Sequence, residues 1–326
     1  MQKILVTGGA GMIGLEVCRQ LAALDYTVHL FDLGEQIKRV EKHLPHNLRI
    51  YYGSILDHSS LRLAMAGCGS VIHLGAMLGV KRTEADKLRC IEINVEGTKN
   101  VLESAALQNV KKIVFASSSE VYGEPSKNPI TEDLTTQGKT VYAVTKLAGE
   151  ELCKAYAQQY PLEYTILRYF NSYGPYQTAQ FVITKFISNV LSGKPPIING
   201  DGNQVRSYTY VSDTAKATIL AALSSKTNQE ILNIGNGETP VRLKELADLV
   251  IDIGGKKGEL SPEYRTNFEQ ADRERSREIY ERFCDSTKAQ HMLEWTPEIT
   301  LEQGIREIMN IGVIFQRWES LYDEQN

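Results

Sequence analysis

Tyr142 and Lys146, in the stretch TVYAVTKLAGEEL, stand four residues apart, so on a helix they share one face. An ammonium near a phenol favours the phenolate, and a further positive charge beside it would draw the tyrosine down from about 10 toward neutrality. A phenol tuned in this way can take the proton of a hydroxyl while the carbon that bears it is oxidised. The same spacing also occurs on ordinary, partly exposed helix faces. The stretch FASSSEVYG, residues 115–123, gives it weight, because three serines there end a strand-like run just upstream. A hydroxyl at that point could share a hydrogen bond with the phenol and a substrate oxygen.

These residues need a scaffold. Short Val/Ile/Leu-rich runs at 4–7, 27–31, 48–52, 70–74, 112–116 and 163–168 alternate with helical spacing at 12–24, 59–66, 88–108 and 141–159. Near-continuous apolar strands between helices predict an α/β fold with a doubly wound parallel sheet covered on both faces. Right-handed crossovers then place every strand's C-terminal end on one edge, where ligands bind. After Arg168 the rhythm breaks, with Gly, Pro and Asn clustering at 171–175, 193–196 and 199–203. The expected organisation is a first domain over 1–170 and a smaller, loop-rich lobe over 171–326, with segments near 205–235 returning to the first. The run 231–234 and the helical spacing at 242–253 show that interleaving, and 317–326 reads as a helix end running into an acidic tail.

At the start of the chain, ILVTGGAGMIGLEVCRQL sets Gly8, Gly11 and Gly14 between a strand and a helix, with Met12 and Ile13 inside the turn. Glycine lets a backbone approach a pyrophosphate closely, and the helix N-terminus offers N–H groups and a positive dipole end. Asp32 closes the next strand in VHLFDL, placed to accept hydrogen bonds from ribose hydroxyls and to repel a 2′-phosphate. That predicts NAD rather than NADP, unless Asp32 is only a helix cap. Ser54 and Ile55 would flank the adenine, with Leu74 and Ala76 at the end of the fourth strand. His73 reads as a packed strand-end histidine.

Composition narrows the rest. The chain has 326 residues, 42% hydrophobic and 23% charged, with a net charge of −4, which suits a soluble globular protein and not a nucleic-acid surface. No run has the length of a membrane span, and the strand-like start leaves no room for a signal peptide. Cys18, Cys68, Cys90, Cys153 and Cys284 lack CxxC spacing and the six histidines form no ligand pair, so a reducing cytoplasm and no metal site are expected.

TGGxGxIG, Asp32, INVEGTKNVLES, SSSEVYG, YAVTK, RYFNSYGP and DGNQVRSYTYVSD occur together from about Ile4 to Glu302. In that order they resemble the extended short-chain dehydrogenase/reductase family, and within it the NAD-dependent nucleotide-sugar epimerases and dehydratases. The resemblance implies a Rossmann-type domain for NAD, a smaller C-terminal lobe for a nucleotide-sugar, most simply a UDP-sugar, and a homodimer. In that dimer the helices near 88–108 and 141–159 of two subunits form a four-helix bundle. It makes Tyr142 the catalytic base and acid, Lys146 the holder of the nicotinamide ribose, and Ser118 the triad hydroxyl, leaving Ser117 as strand-end structure. Asn94 would order the active-site backbone, Phe170 pack beside the nicotinamide, and Asn171 contact the sugar or its phosphates. Arg206 and Arg282 would reach the diphosphate, where a planar guanidinium binds phosphate oxygens in pairs.

All such enzymes open by oxidising C4, and they part ways at the 4-keto sugar. The residues after the triad serine are Ser119 and Glu120 rather than the Asp-Glu pair of dehydratases, so 4,6-dehydration is disfavoured. Ser-Glu resembles UDP-glucuronate decarboxylases, but those have arginine after YGP where Tyr176 stands here. The expected reaction is therefore 4-epimerisation, with decarboxylation second; a 4-keto reductase or a silent NAD-sensing protein are further alternatives. For Glu120 a strand-end carboxylate bonded to backbone or to Tyr122 competes with a catalytic role. Ser54 and Ser207 stand where relatives carry Asp, and the stretch YQTAQFVITKF after Pro175 is short. The stretch GAMLGVKRTEADKLRC reads as a loop near the sugar, in which Lys81 and Arg82 would meet an anionic substituent or, more simply, solvent.

Overall fold

The computed structural model describes residues 2–178, 181–265 and 279–311. The helix end and tail expected at 317–326 lie outside the described residues. From the N-terminus run β1 (Lys3–Thr7), α1 (Met12–Ala23), β2 (Thr27–Asp32), α2 (Gly34–Val40), β3 (Arg49–Tyr52), α3 (His58–Met65) and β4 (Ser70–His73). They are followed by α4 (Val80–Ala85), α5 (Lys87–Ile91), α6 (Gly97–Leu107), β5 (Lys112–Ser118), α7 (Val141–Gln159) and β6 (Glu163–Tyr169). The later chain forms β7 (Ser172–Tyr173), α8 (Val182–Leu191), β8 (Ile197–Asn199), β9 (Val205–Arg206), β10 (Thr209–Tyr210), α9 (Val211–Leu223) and β11 (Glu230–Ile234). It ends in β12 (Val241–Arg242), α10 (Leu243–Ile253), β13 (Glu263–Arg265), β14 (Glu281–Arg282), α11 (Thr287–Leu293) and α12 (Leu301–Ile311).

Seven strands form one sheet in the order β11-β6-β5-β4-β1-β2-β3, and every neighbouring pair in it is parallel. Strand order reverses between β1 and β4, the switch point at which such sheets open a crevice for a ligand. The central strands are apolar on both sides because both sides are covered. One face packs Leu15 and Val17 of α1, Ile219 of α9 and the late Leu293 and Trp295. The other packs Leu61 and Met65 of α3, Val101 and Leu102 of α6, and Cys153 of α7.

A third core joins Phe186 and Ile187 of α8, Leu246 and Val250 of α10, and Ile305 and Ile308 of α12 beside the sheet edge. The short sheets β12-β9-β14 and β13-β8 lie in this later part of the chain. Between 87 and 107 the helix expected as one piece is interrupted by five residues of wider π turns, Glu92–Glu96. The stretch expected as a loop at 75–90 is instead largely helical, as α4 and α5. Among the described residues no helix is long and apolar enough to cross a membrane.

Candidate active site

The glycine turn is shaped by what it excludes. Gly8 has φ +68°, and a Cβ there would stand 2.7 Å from Gly75 N. A Cβ on Gly14 would meet Gly8 O at 2.1 Å, so α1 closes directly onto the turn. Gly11 caps α1 without a side chain, leaving the first-turn N–H groups of Met12 and Ile13 directed toward any anion at the turn. Asp32 is no helix cap: its Oδ2 accepts from Ala10 N at 2.9 Å and its Oδ1 from Leu33 N at 2.8 Å, tying β2 to the turn. Burial raises its pKa and these two N–H bonds oppose the rise. A carboxylate has about four acceptor positions, so room for ribose hydroxyls remains. A cradle that a Cβ would fill, a helix N-terminus and an acidic strand end fit a dinucleotide such as NAD.

The residues expected on the adenine side are placed by hydrogen bonds and packing. Ser54 Oγ accepts from Leu56 N at 3.2 Å, while Ile55 O accepts from Asn100 Nδ2 at 3.2 Å. Ile55 reaches α6 because Gly97 has no Cβ; one there would lie 2.6 Å from the Ile55 side chain. Leu74 N donates to Thr7 O, which holds the chain past β4, with Leu74 and Ala76, alongside the turn.

Behind this edge runs a directed chain of hydrogen bonds. Thr98 Oγ1 donates to Asn94 O at 2.6 Å, so it can only accept from His73 Nε2 at 3.1 Å. His73 Nδ1 is then the acceptor for the Thr7 hydroxyl at 2.7 Å. Burial drives His73 down to about 3, so the imidazole is neutral with its proton on Nε2. The reading of His73 as a packed residue agrees with this. Asn94, in the π turns, grips the Met77 backbone twice: Met77 N donates to its Oδ1 at 2.7 Å, and its Nδ2 donates to Met77 O at 3.0 Å.

The residues expected as a triad lie at the end of β5 and in the first turns of α7. Ser118 Oγ accepts from Glu120 N at 3.2 Å, and its hydroxyl favours the ionised form of the nearby Tyr142 phenol. Lys146 Nζ lies 5.7 Å from the Tyr142 ring centre and donates to Ala116 O at 2.8 Å. Burial lowers Lys146 to about 8. The Tyr142 phenol departs from the expectation. Its surroundings push it up, through burial first and then the Glu120 charge, with Ser118 pulling the other way. The chain's own groups therefore keep Tyr142 protonated.

Glu120 does not bond to Tyr122. Its Oε1 lies 2.8 Å from Arg282 Nη1, in an ion pair with both side chains nearly buried. Arg282, expected on a diphosphate, is held by this pair next to the end of β5. Ser119 is buried in the same one-turn helix, Ser119–Tyr122. Arg206 is folded onto backbone, donating to Val205 O, Tyr280 O and Ile279 O at 2.9, 3.2 and 2.5 Å. To reach a phosphate it must leave these carbonyls. Asn171, at φ +38°, donates from Nδ2 to Ser207 O at 2.8 Å. Phe170 is wholly buried against Val121, Tyr122, Ile130 and Cys284, so it supports the site from beneath rather than lining it. Tyr176 turns away from the triad, its ring 5.2 Å from His43 and 5.5 Å from the Arg19 guanidinium.

Three residues that sequence reasoning passed over also hold the site. Glu84 Oε1 accepts from Val141 N at 2.9 Å, capping α7 beside Thr140, whose hydroxyl accepts from Ala143 N. Glu150 and Arg168 form a buried pair below the triad. Glu150 was readable, since it continues the spacing of Tyr142 and Lys146 by one more turn; Glu84 left no such signal.

The sequence matches the NAD dependent epimerase/dehydratase family over residues 4–235. It is 37% identical to a UDP-N-acetyl-alpha-D-glucosaminuronate decarboxylase of Bacillus cytotoxicus, with 94% of this chain and 96% of the relative covered. It is also 37% identical to a putative UDP-glucose 4-epimerase of Methanocaldococcus jannaschii, over 94% and 97% of the two chains. Among solved structures, a UDP-glucuronic acid 4-epimerase from Bacillus cereus, in complex with UDP-glucuronic acid and NAD, superposes with a TM-score of 0.86 at 28% identity over 97% and 99% of the chains. With this glycine turn, this strand order and these matches, the chain belongs to the NAD dependent epimerase/dehydratase family and is an NAD-dependent, sugar-modifying enzyme.

Proposed function

We propose that the enzyme oxidises C4 of a UDP-hexuronate and releases its C6 carboxylate as carbon dioxide. The observation that carries this reading is the buried Glu120–Arg282 pair beside Tyr142. A guanidinium there holds a carboxylate already, and a uronate presents the same group one carbon from the oxidised centre. A neutral hexose offers it no such partner. Similarity to a decarboxylase of an N-acetylglucosaminuronate supports the same substrate class. Tyr176 no longer speaks against it, because that side chain packs away from the triad.

NAD, when bound, accepts and returns the hydride at C4. The protein's part is proton handling and position. Tyr142 takes the C4 hydroxyl proton, with Ser118 sharing the oxygen and the Lys146 ammonium favouring the phenolate. The product is a β-keto acid, whose C5–C6 bond breaks with its electron pair moving into the C4 carbonyl. A proton from solvent then adds at C5, Tyr142 returns its proton to the C4 oxygen as the hydride comes back to C4, and a UDP-pentose leaves. Glu120 and Arg282 orient the carboxylate before that bond breaks.

Epimerisation at C4, which the sequence alone put first, is the second reading, favoured by a 33% identical UDP-glucuronate 4-epimerase of Thermodesulfobacterium geofontis. Incubation with UDP-glucuronate, UDP-N-acetylglucosaminuronate and UDP-glucose, followed by mass spectrometry and proton NMR, separates the two. Loss of carbon dioxide from a uronate is expected. An isobaric new uronate establishes epimerisation instead, and turnover of UDP-glucose alone overturns the uronate reading. The homodimer belongs to the same proposal: Leu88 is 82% and Val144 54% exposed on the helices that would form its bundle.

A further inference from the structure

We propose that Glu150, with Ser117 and Arg168, is a positioning clamp that sets the register between the Ser118 hydroxyl and the Tyr142 phenol. The inference rests on the C4 oxidation step alone, which both readings above share.

Three consecutive residues of β5 engage three successive turns of α7. Ala116 O accepts from Lys146 Nζ at 2.8 Å, Ser117 Oγ donates to Glu150 Oε1 at 2.5 Å, and Ser118 stands by Tyr142, whose ionised form its hydroxyl favours. The helix partners stand at 142, 146 and 150, one turn apart on one face. Gly149 allows the approach, because a Cβ there would lie 2.3 Å from the Phe115 ring. A glycine inside a helix is otherwise unfavourable, and here it brings α7 down onto the strand beside the Ser117–Glu150 contact.

The Glu150 carboxylate also receives Arg168 in bidentate fashion, Nε at 2.9 Å and Nη2 at 2.7 Å. Arg168 Nη1 donates to Tyr122 Oη at 2.9 Å, and Tyr122 donates to Asn233 Oδ1 at 2.7 Å. One buried carboxylate therefore joins β5 with Ser118, α7 with Tyr142 and Lys146, and β6, which leads into Asn171; the network reaches β11 through Asn233. Bidentate geometry fixes direction as well as distance. Ser117 supplies the rung next to the reacting hydroxyl, so a shift of its hydrogen bond moves Ser118 against Tyr142. Its role is more than that of strand-end structure.

Removing Glu150 would leave the Arg168 charge buried without its partner and test folding as much as position, so the decisive variant is Ser117→Ala. With NAD-loaded enzyme and UDP-glucuronate in single turnover, the rate of cofactor reduction is expected to fall about ten- to a hundredfold. The Kd for UDP-glucuronate and the melting temperature should stay near those of the parent, and Ser117→Thr should restore the rate. In the same holoprotein, amide hydrogen exchange should quicken over residues 116–122 and the first turn of α7, and nowhere else. An unchanged rate, or a loss that Ser117→Thr does not rescue, overturns the clamp. If the parent enzyme itself shows no cofactor reduction, the functional reading fails separately, and exchange decides the clamp: selective loss of protection supports it, and unchanged protection over 116–122 overturns it.

Discussion

At the β1 end of the active-site edge the protein makes room by leaving side chains out, whereas at the β5–β6 end it fills the space with charged and hydroxylic ones. Gly8 and Gly14 would each collide with backbone if they carried a Cβ. Specific side chains are not needed there, because a dinucleotide asks chiefly for backbone N–H groups and a close approach. The other end must move protons on a particular sugar, so it is built from side chains supplied by β5, α7, β6 and β14. The lesson is that cofactor binding rests on local backbone shape, and the reaction on contacts between segments far apart in the chain.

The largest effect should come from the side-chain end. Tyr142→Phe removes the only proposed proton acceptor for the C4 hydroxyl and should lower turnover by about 10²–10⁴ while NAD stays bound. Cofactor retention during gel filtration together with single-turnover absorbance checks both halves. Normal turnover in this variant would move the acid–base role elsewhere and dissolve the contrast between the two ends.

That contrast also explains what could be read from the sequence. The glycine turn, Asp32 and the strand–helix rhythm are local patterns, and the structure places them as expected. The Tyr142/Lys146 spacing is local in the same way, whereas Ser118 was singled out from its two neighbours only by the family resemblance. Arg282 was readable as a cation but not as the partner of Glu120, because 162 residues of chain separate the two. Phe170 looked like a lining residue, and packing with Val121, Tyr122 and Ile130 buried it instead. Nor could the phenol's upward shift be foreseen, since it depends on burial and on Glu120 rather than on the nearby lysine that the motif displays.

The Glu120–Arg282 pair offers the next sharpest test. Glu120→Gln removes the charge that faces Arg282 Nη1 in a nearly buried pair, which should lower stability, as breaking one side of a buried ion pair does. It also removes a charge that raises the Tyr142 pKa, so that pKa should fall. Because the phenol must lose its proton to act, the rising limb of the oxidation rate should move to lower pH. Replacing both members, as Glu120→Leu with Arg282→Met, should recover much of the stability, since an apolar pair can replace a buried ionic one, yet leave uronate turnover lost. A double variant that still turns over UDP-glucuronate would detach Arg282 from the sugar carboxylate. Denaturant unfolding and pH–rate profiles supply the readouts.

At the cofactor end the corresponding ionisable group is His73, and its effect falls on stability. Its pKa is depressed from 6.5 to about 3 in the folded chain, so the unfolded chain binds a proton first as pH drops. Stability from this group is complete above pH 6.5 and declines toward pH 3 by at most about 1.4 kcal/mol per pH unit. His73→Gln should be less stable at neutral pH, having lost one of two buried hydrogen bonds, but should show a shallower acid slope. Equal slopes in urea-unfolding series from pH 7 to about pH 4 would mean that the imidazole is protonated in the folded chain, against the donor order that runs from Thr7 through His73 to Asn94.

The smallest effects divide a single helix. On α4, Lys81 and Arg82 are exposed while Glu84 turns inward and accepts from Val141 N at the start of α7. If the outer face is only solvated, replacing Lys81 and Arg82 by alanine should change stability by less than about 0.5 kcal/mol. Uronate turnover should stay within about twofold, under 0.5 kcal/mol of transition-state stabilisation. Glu84→Ala removes an acceptor at a helix N-terminus, where such losses typically cost about 1 kcal/mol. It frees the turn that carries Tyr142, so its kcat should fall more than its KM rises. A reversed pattern, with Lys81 and Arg82 controlling uronate turnover and Glu84 silent, would place the sugar's anionic group against α4. The carboxylate partner would then be this helix and not Arg282, and the division between a backbone-built cofactor end and a side-chain-built reaction end would have to be redrawn around α4.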